Sequence, residues 1–211
     1  MHRETVQGFI VFEGIDGSGT TTQLGRLKAR LEASGAAYST ECEPTPGPIG
    51  VLIRSALSGA FNTKPETVAR LFAADRGEHL YGQLGIVERC ARGELVISDR
   101  YLFSSLVYQG LTCEPSLPAS LNEPFPLPEL VIFFELDPTI AAKRMGTRAS
   151  LDIYENIEFQ SRVADRYRTV LAGFEESGLK VVCIDANASS DEVEEAVWKA
   201  VSPLAERFNS R

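Results

Sequence analysis

Residues 9–23 read FIVFEGIDGSGTTTQ. The apolar run Phe9, Ile10, Val11 and Phe12 suits a buried strand. Gly14, Gly17 and Gly19 then open a loop that also carries Asp16 and Ser18. After Thr20, the residues Thr21, Thr22 and Gln23 begin a helix with Leu24, Leu27 and Leu31 on one face. Strand, glycine loop and helix in this order are the context that a phosphate-binding loop requires. Glycines let successive backbone N–H groups turn toward an anion where side chains would clash, and the helix start adds free donors and a partial positive charge.

The usual pattern of such a loop is G-x-x-x-x-G-K-[ST]. Gly14 to Thr21 reads GIDGSGTT, so Thr20 stands in the lysine position and Thr21 supplies the expected magnesium-bound hydroxyl. The plainer alternative is an ordinary glycine turn between a strand and a helix.

Working outward, 211 residues suffice for one domain with a substantial core, and apolar content and charge are those of a globular protein. A net charge of −8 argues against nonspecific nucleic-acid or membrane-surface binding, so an anionic substrate must be met by local arginines. The N-terminus MHRETVQG lacks a signal-peptide core, and no apolar run reaches membrane-spanning length. Cys42, Cys90, Cys113 and Cys183 have no metal or redox spacing, which fits a reduced cytoplasm. No repeat or linker marks a second domain, so residues 1–211 are expected to form one unit.

The first helix is expected over Thr21 to Ser34, ended by Gly35, and a short strand over Ala37 to Cys42. EPTPGP at Glu43 to Pro48 reads as a rigid loop, Ile49 to Leu57 as a helix, and Pro65 to Arg92 as one long helix. Leu95 to Ser98 and Leu130 to Leu136 read as buried strands, Val181 to Ile184 as a fifth. A helix follows Asp99, Arg100 and Tyr101 as far as Gln109; Gly110 to Pro128 is proline-rich and expected to be loop. Asp137 caps a helix opened by Pro138, and Ser190 to Phe208 forms the last helix, interrupted near Pro203. Strands alternating with helices imply an α/β fold whose parallel sheet is covered on both faces, with ligands beyond the carboxyl ends of the strands. That rule selects the loops at Gly14 to Thr20, Glu43 to Pro48 and Asp99 to Tyr101.

Asp99, directly after a strand, can face a magnesium ion held by Thr21, and Arg100 can bind phosphate oxygens with its planar fork. On their own the two would read as a surface ion pair. Phe72 and Arg76 lie four residues apart, on one helix face, where a ring and a guanidinium can hold a planar base. By pattern alone Phe72 reads as core and Arg76 as a solvated charge.

The motifs FIVFEGIDGSG-TTQ, EP-x-x-GPIG-x-x-IR, LFAADR-x-EHL and DRY-x-x-SS-x-x-YQG, in this order and spacing, resemble those of bacterial thymidylate kinases from about Phe9 to Leu171. The resemblance implies the P-loop kinase fold, a five-stranded parallel sheet flanked by helices with a mobile lid at 143–155. It implies transfer of the γ-phosphoryl of ATP, with Mg2+, to thymidine 5′-monophosphate (dTMP), by a homodimer. It also reverses the plain reading of Phe72 and Arg76: Phe72 stacks on thymine and Arg76 hydrogen-bonds its edge. Arg54 and Arg100 hold the acceptor phosphate, Asp16 approaches the sugar 3′-hydroxyl, Tyr108 lies near the sugar, and Ser105 and Gln109 complete the base pocket. Gly14, Asp16, Gly17, Ser18, Gly19, Thr20, Thr21 and Thr22 form the ATP-phosphate site. Thr21 and Asp99 form the metal site, and Arg144 and Arg148 close the lid.

Three positions depart from the pattern. Thr20 replaces the loop lysine, Cys42 an arginine common before Glu-Pro, and Ile153 an arginine frequent in the lid. Acceptor binding is expected to be intact and the ATP-phosphate equipment thinned. Two other readings are a thymidine kinase using Glu43 as the base that an uncharged hydroxyl needs, and a nucleotide-binding relative without turnover.

Overall fold

The computed structural model describes residues 3–145 and 157–208; the expected lid from residue 146, with Arg148 and Ile153, lies outside them. The strands are β1 (Thr5–Gly14), β2 (Tyr38–Cys42), β3 (Leu95–Asp99), β4 (Leu127–Glu135) and β5 (Val181–Asp185). All are parallel, in the order β2-β3-β1-β4-β5. Phe9, Ile10, Val11 and Phe12 are fully buried at the centre, as a continuous apolar run requires of a strand covered on both faces.

Cys42, Asp99 and Phe12 pair in register across β2, β3 and β1, so these strands end abreast. The loops after them therefore open at one edge of the sheet. Helix α1 (Thr20–Ser34) buries Leu24, Leu27 and Leu31. Its outer face meets α9 (Ser190–Ala205) through Arg26 and Arg30, which pair with Asp191, Glu194 and Glu195. Helix α2 spans Pro48–Leu57. Helix α5 (Leu102–Thr112) contacts both α3 (Pro65–Tyr81) and α8 (Ile157–Glu176).

Several expected boundaries shift. The long helix over Pro65 to Arg92 is two helices, α3 and α4 (Ile86–Ala91). At Gly82 and Gly85 the backbone passes so close to the Glu78 and Leu80 carbonyls that a Cβ would lie 2.5 Å from either oxygen. Leu84 between them takes φ 55°. The segment expected as loop, Gly110 to Pro128, instead extends α5 to Thr112, forms α6 (Ser116–Asn122) and starts β4. Pro118 sits in the first turn of α6, where a missing N–H costs no hydrogen bond. Pro203 lies inside α9 without interrupting it; a 3-10 turn follows at Glu206–Phe208. Helix α7 (Pro138–Met145) leads toward the lid.

Glu13 joins β1 to the helical layer while wholly buried. Its Oε1 accepts the backbone N–H of Tyr101 (2.9 Å) and Ser104 (3.2 Å), which belong to the start of α5. Its Oε2 accepts the Ser104 (2.6 Å) and Tyr167 (2.9 Å) hydroxyls. Burial pushes this carboxyl from 4.5 up to about 7; the contacts with Ser104, Arg100, Tyr167 and Tyr101 work in the opposite direction. A raised carboxyl pKa stabilises the fold at pH below 4.5, and that stability is lost as pH rises through about 7. The full loss is about 3 kcal/mol. Urea unfolding of wild type and Glu13→Gln from pH 4 to 8 checks this: the wild-type advantage should shrink by about that amount. A pH-independent difference would show that burial does not control this carboxyl.

Candidate active site

The loop after β1 is a cradle shaped by its glycines. A Cβ on Gly14 would lie 2.5 Å from Ser18 Oγ and 3.0 Å from the Phe134 carbonyl oxygen. Gly19, at the N-cap of α1, holds φ 92°, a left-handed conformation open to glycine. The cradle faces a cavity of about 410 Å³ lined by Gly17 through Thr22, Arg144 of α7, and Ala186 and Ala188 beyond β5. Arg144 donates to the Ala186 carbonyl at 3.1 Å. The Ser18 hydroxyl is buried with no hydrogen-bond partner among the described residues.

Thr20, in the lysine position, does not direct its hydroxyl into the cradle. Thr20 Oγ1 (3.3 Å) and Thr21 Oγ1 (2.9 Å) both donate to Asp99 Oδ2. Asp99 Oδ1 is buried and unpartnered among the described residues. Two hydroxyls and a carboxylate with a spare oxygen fit a hard divalent cation. No group of three or more His, Cys, Asp or Glu could hold an ion among the described residues. A magnesium ion here would complete its shell with phosphate oxygens and water, its usual preference.

Asp16 and Gly17, adjacent in sequence, line different cavities. The second measures about 260 Å³ and is bordered by Asp16, Arg54, Phe72, Arg100, Tyr108 and Gln109. Phe72 is half-buried on α3 with its ring on this cavity, not packed in the core. Arg100 takes φ 74°, which costs about 1–3 kcal/mol in a non-glycine residue. Its backbone is held there by the Phe12 carbonyl (2.9 Å) and the Ser98 hydroxyl (2.7 Å). The guanidinium pairs with Asp16 at 2.5 Å and lies over the Tyr108 ring. Asp16 Oδ2 also accepts from Tyr108 (3.3 Å) and from Gln160 of α8 (3.1 Å). Arg54 on α2 donates to the Thr45 carbonyl (2.6 Å) and the Pro44 carbonyl. Asp75 anchors the same loop to α3 by accepting the Thr45 N–H (2.7 Å) and hydroxyl (2.6 Å).

Arg76 is not the solvated charge of the pattern reading; it is 1% exposed. Glu43 Oε2 accepts its Nε (3.0 Å) and Nη2 (2.6 Å), Ser105 accepts Nη2 (3.2 Å), and Asn122 accepts Nη1. Ser105 thus sits behind Arg76. Glu43 Oε1 meets His79 Nδ1 at 3.0 Å, and His79 Nε2 lies 3.7 Å from Glu41, itself paired with Arg89 at 2.5 Å. Burial works against a charged His79, but the Glu43 carboxylate within hydrogen-bond reach and the Glu41 carboxylate at 3.7 Å outweigh it and push the imidazole up to about 9. Glu43 therefore lies between two cations at neutral pH, with both oxygens engaged and neither directed at a substrate proton. Glu43→Ala leaves both cations buried and should cost about 3–5 kcal/mol by chemical denaturation. A cost under about 1 kcal/mol would show that Glu43 does not offset the two buried cations.

Glu13, Asp75, Asn122 and Gln160 escaped the sequence reading. Asp75 and Glu13 carried a local signal, their places in the motifs LFAADR and FIVFEGIDGSG.

The sequence model of the family described as thymidylate kinase matches residues 12–197. A protein named as a thymidylate kinase in Treponema pallidum (strain Nichols) is 40% identical over 195 residues, 91% of this chain and 93% of its own. A second, from Aeropyrum pernix, is 35% identical over 200 residues, 94% of each chain. A third, from Methanococcus vannielii, is 42% identical over 163 residues, 77% of each. With more than half its length matched and relatives this similar over most of both chains, this protein belongs to the thymidylate kinase family.

Proposed function

We propose that the protein transfers the γ-phosphoryl group of ATP to dTMP, giving ADP and the diphosphate, as a single cytoplasmic domain acting in a homodimer. The observation that carries this reading is a phosphate cradle beside a second cavity that holds an aromatic ring, Phe72, and, besides the Glu43-paired Arg76, the arginines Arg54 and Arg100. An acceptor without a phosphate would leave those two cations unused. Thymidine as acceptor is also disfavoured because Glu43, the base it would need, is committed to Arg76 and His79.

In this reading Phe72 stacks on the base, Arg76 and Gln109 meet its edge, and Ser105 supports Arg76. Arg54 and Arg100 exchange their present carbonyl and carboxylate partners for the acceptor phosphate. Asp16 and Tyr108 face the sugar. The acceptor is already an anion at neutral pH, so in-line transfer needs positioning and charge neutralisation rather than a strong base. Backbone N–H groups of the glycine loop cradle the donor phosphates. A magnesium ion held by Thr21 and Asp99 would neutralise charge on the phosphate oxygens. The lid at 143–155 would exclude water that hydrolyses ATP.

Asp99→Asn should lower kcat by about a hundredfold or more while dTMP affinity by calorimetry stays within a few-fold. Full turnover in Asp99→Asn at the wild-type magnesium optimum would remove Asp99 from the site. The charge missing at Thr20 is assigned to the lid, to Arg148 and then Arg144, which already borders the phosphate cavity. Arg148→Ala should slow turnover roughly a hundred- to a thousandfold, and Thr20→Lys should partly rescue it. A harmless Arg148→Ala, or an equal Thr20→Lys effect in both backgrounds, would show that the positions are uncoupled.

A further inference from the structure

We infer that Asn122 is a positioning residue for the acceptor base: it fixes the Arg76 guanidinium so that one N–H is left for a pyrimidine bearing a carbonyl at its 4-position. This rests on the base site proposed above. An arginine side chain carries five N–H donors in a rigid fork. In Arg76 the Nε donor and one on Nη2 go to Glu43, the other on Nη2 to Ser105, and one on Nη1 to Asn122. Among the described residues, that leaves one N–H, on Nη1, in a side chain that borders the acceptor cavity.

Asn122 is well placed to make that choice. It is 1% exposed at the end of α6. Its Nδ2 donates to the Pro118 carbonyl at 2.8 Å, one turn back. That bond fixes which face of the carboxamide points at Arg76, because a flipped amide would set N–H against N–H and oxygen against oxygen. The Tyr101 and Phe125 rings lie 5.2 and 5.8 Å from the guanidinium carbon. Phe125 and Asn122 both come from the proline-rich segment after α5, so this segment forms the rear wall of the base site.

Without the Asn122 acceptor, Nη1 keeps two uncommitted hydrogens and the guanidinium can pivot on its fork to Glu43. A 4-carbonyl accepts from the remaining N–H, whereas a 4-amino group opposes it with another donor. A pivoting guanidinium weakens the first contact and relieves the second clash, so affinity and base selectivity should fall together.

The test is steady-state kinetics of Asn122→Leu, similar in size but without the acceptor, with dTMP and deoxycytidine monophosphate as acceptors. The KM for dTMP should rise about tenfold, with kcat and the KM for ATP within twofold. The preference for dTMP should narrow by a similar factor. Asn122→Asp restores an acceptor toward Nη1 but sets an oxygen against the Pro118 carbonyl, so it should recover part of both losses, a rescue that a purely structural role would not give. If Asn122→Leu fails to fold, Asn122→Ser, whose hydroxyl falls short of Arg76, reads the same quantities. Arg76→Ala separates the two levels of the reading. An unchanged KM for dTMP in Arg76→Ala overturns the base site itself. A raised KM there, with Asn122 variants indistinguishable from wild type, overturns only the role of Asn122.

Discussion

Cys42, Asp99 and Phe12 stand side by side in the hydrogen-bonded register of three parallel strands. Because the strands run the same way, the chain leaves all three at one edge, and three unrelated loops must share one volume of space. The glycine loop after β1, the Glu-Pro loop after β2 and the Asp-Arg pair after β3 are each weakly diagnostic in sequence. Held together by the register, they give Thr20 and Thr21 hydroxyls on Asp99, and Arg100 on Asp16. The two cavities adjoin because Asp16 and Gly17 are consecutive residues of a single loop.

Buried charge is the second constraint. Arg76, Glu43 and His79 are nearly inaccessible, so each needs its partners to offset the cost of leaving water. The chain meets this with a row of alternating sign, Arg89, Glu41, His79, Glu43 and Arg76, and neutral Ser105 and Asn122 take two of the three Arg76 donors that Glu43 leaves. Such a network holds a guanidinium in one orientation at the edge of the second cavity, which a mobile surface arginine could not do. Arg100 reaches a comparable rigidity through a left-handed backbone held by Phe12 and Ser98.

The sheet and the phosphate loop were legible in the sequence because their signals are local: apolar runs of strand length, and glycines at fixed offsets. The break between α3 and α4 was not, since helical apolar spacing continues across it and the turn is set by close backbone contacts at Gly82 and Gly85. Helix α6 was hidden by prolines that happen to fall at its start, where they do no harm. Arg76 looked solvated because periodicity reports which face a residue occupies, not whether a carboxylate from another strand waits there. The partner of the Thr20 hydroxyl lies 79 residues away at the end of β3, which no spacing in the loop could reveal.

In the proposed reaction the acceptor arrives with its own phosphate. ADP formation from ATP and magnesium, with dTMP or thymidine as sole acceptor, tests this. Turnover is expected with dTMP, and a kcat/KM for thymidine at least about a hundredfold lower, since Arg54 and Arg100 would find no anion. Thymidine phosphorylated as well as dTMP, or better, would contradict it.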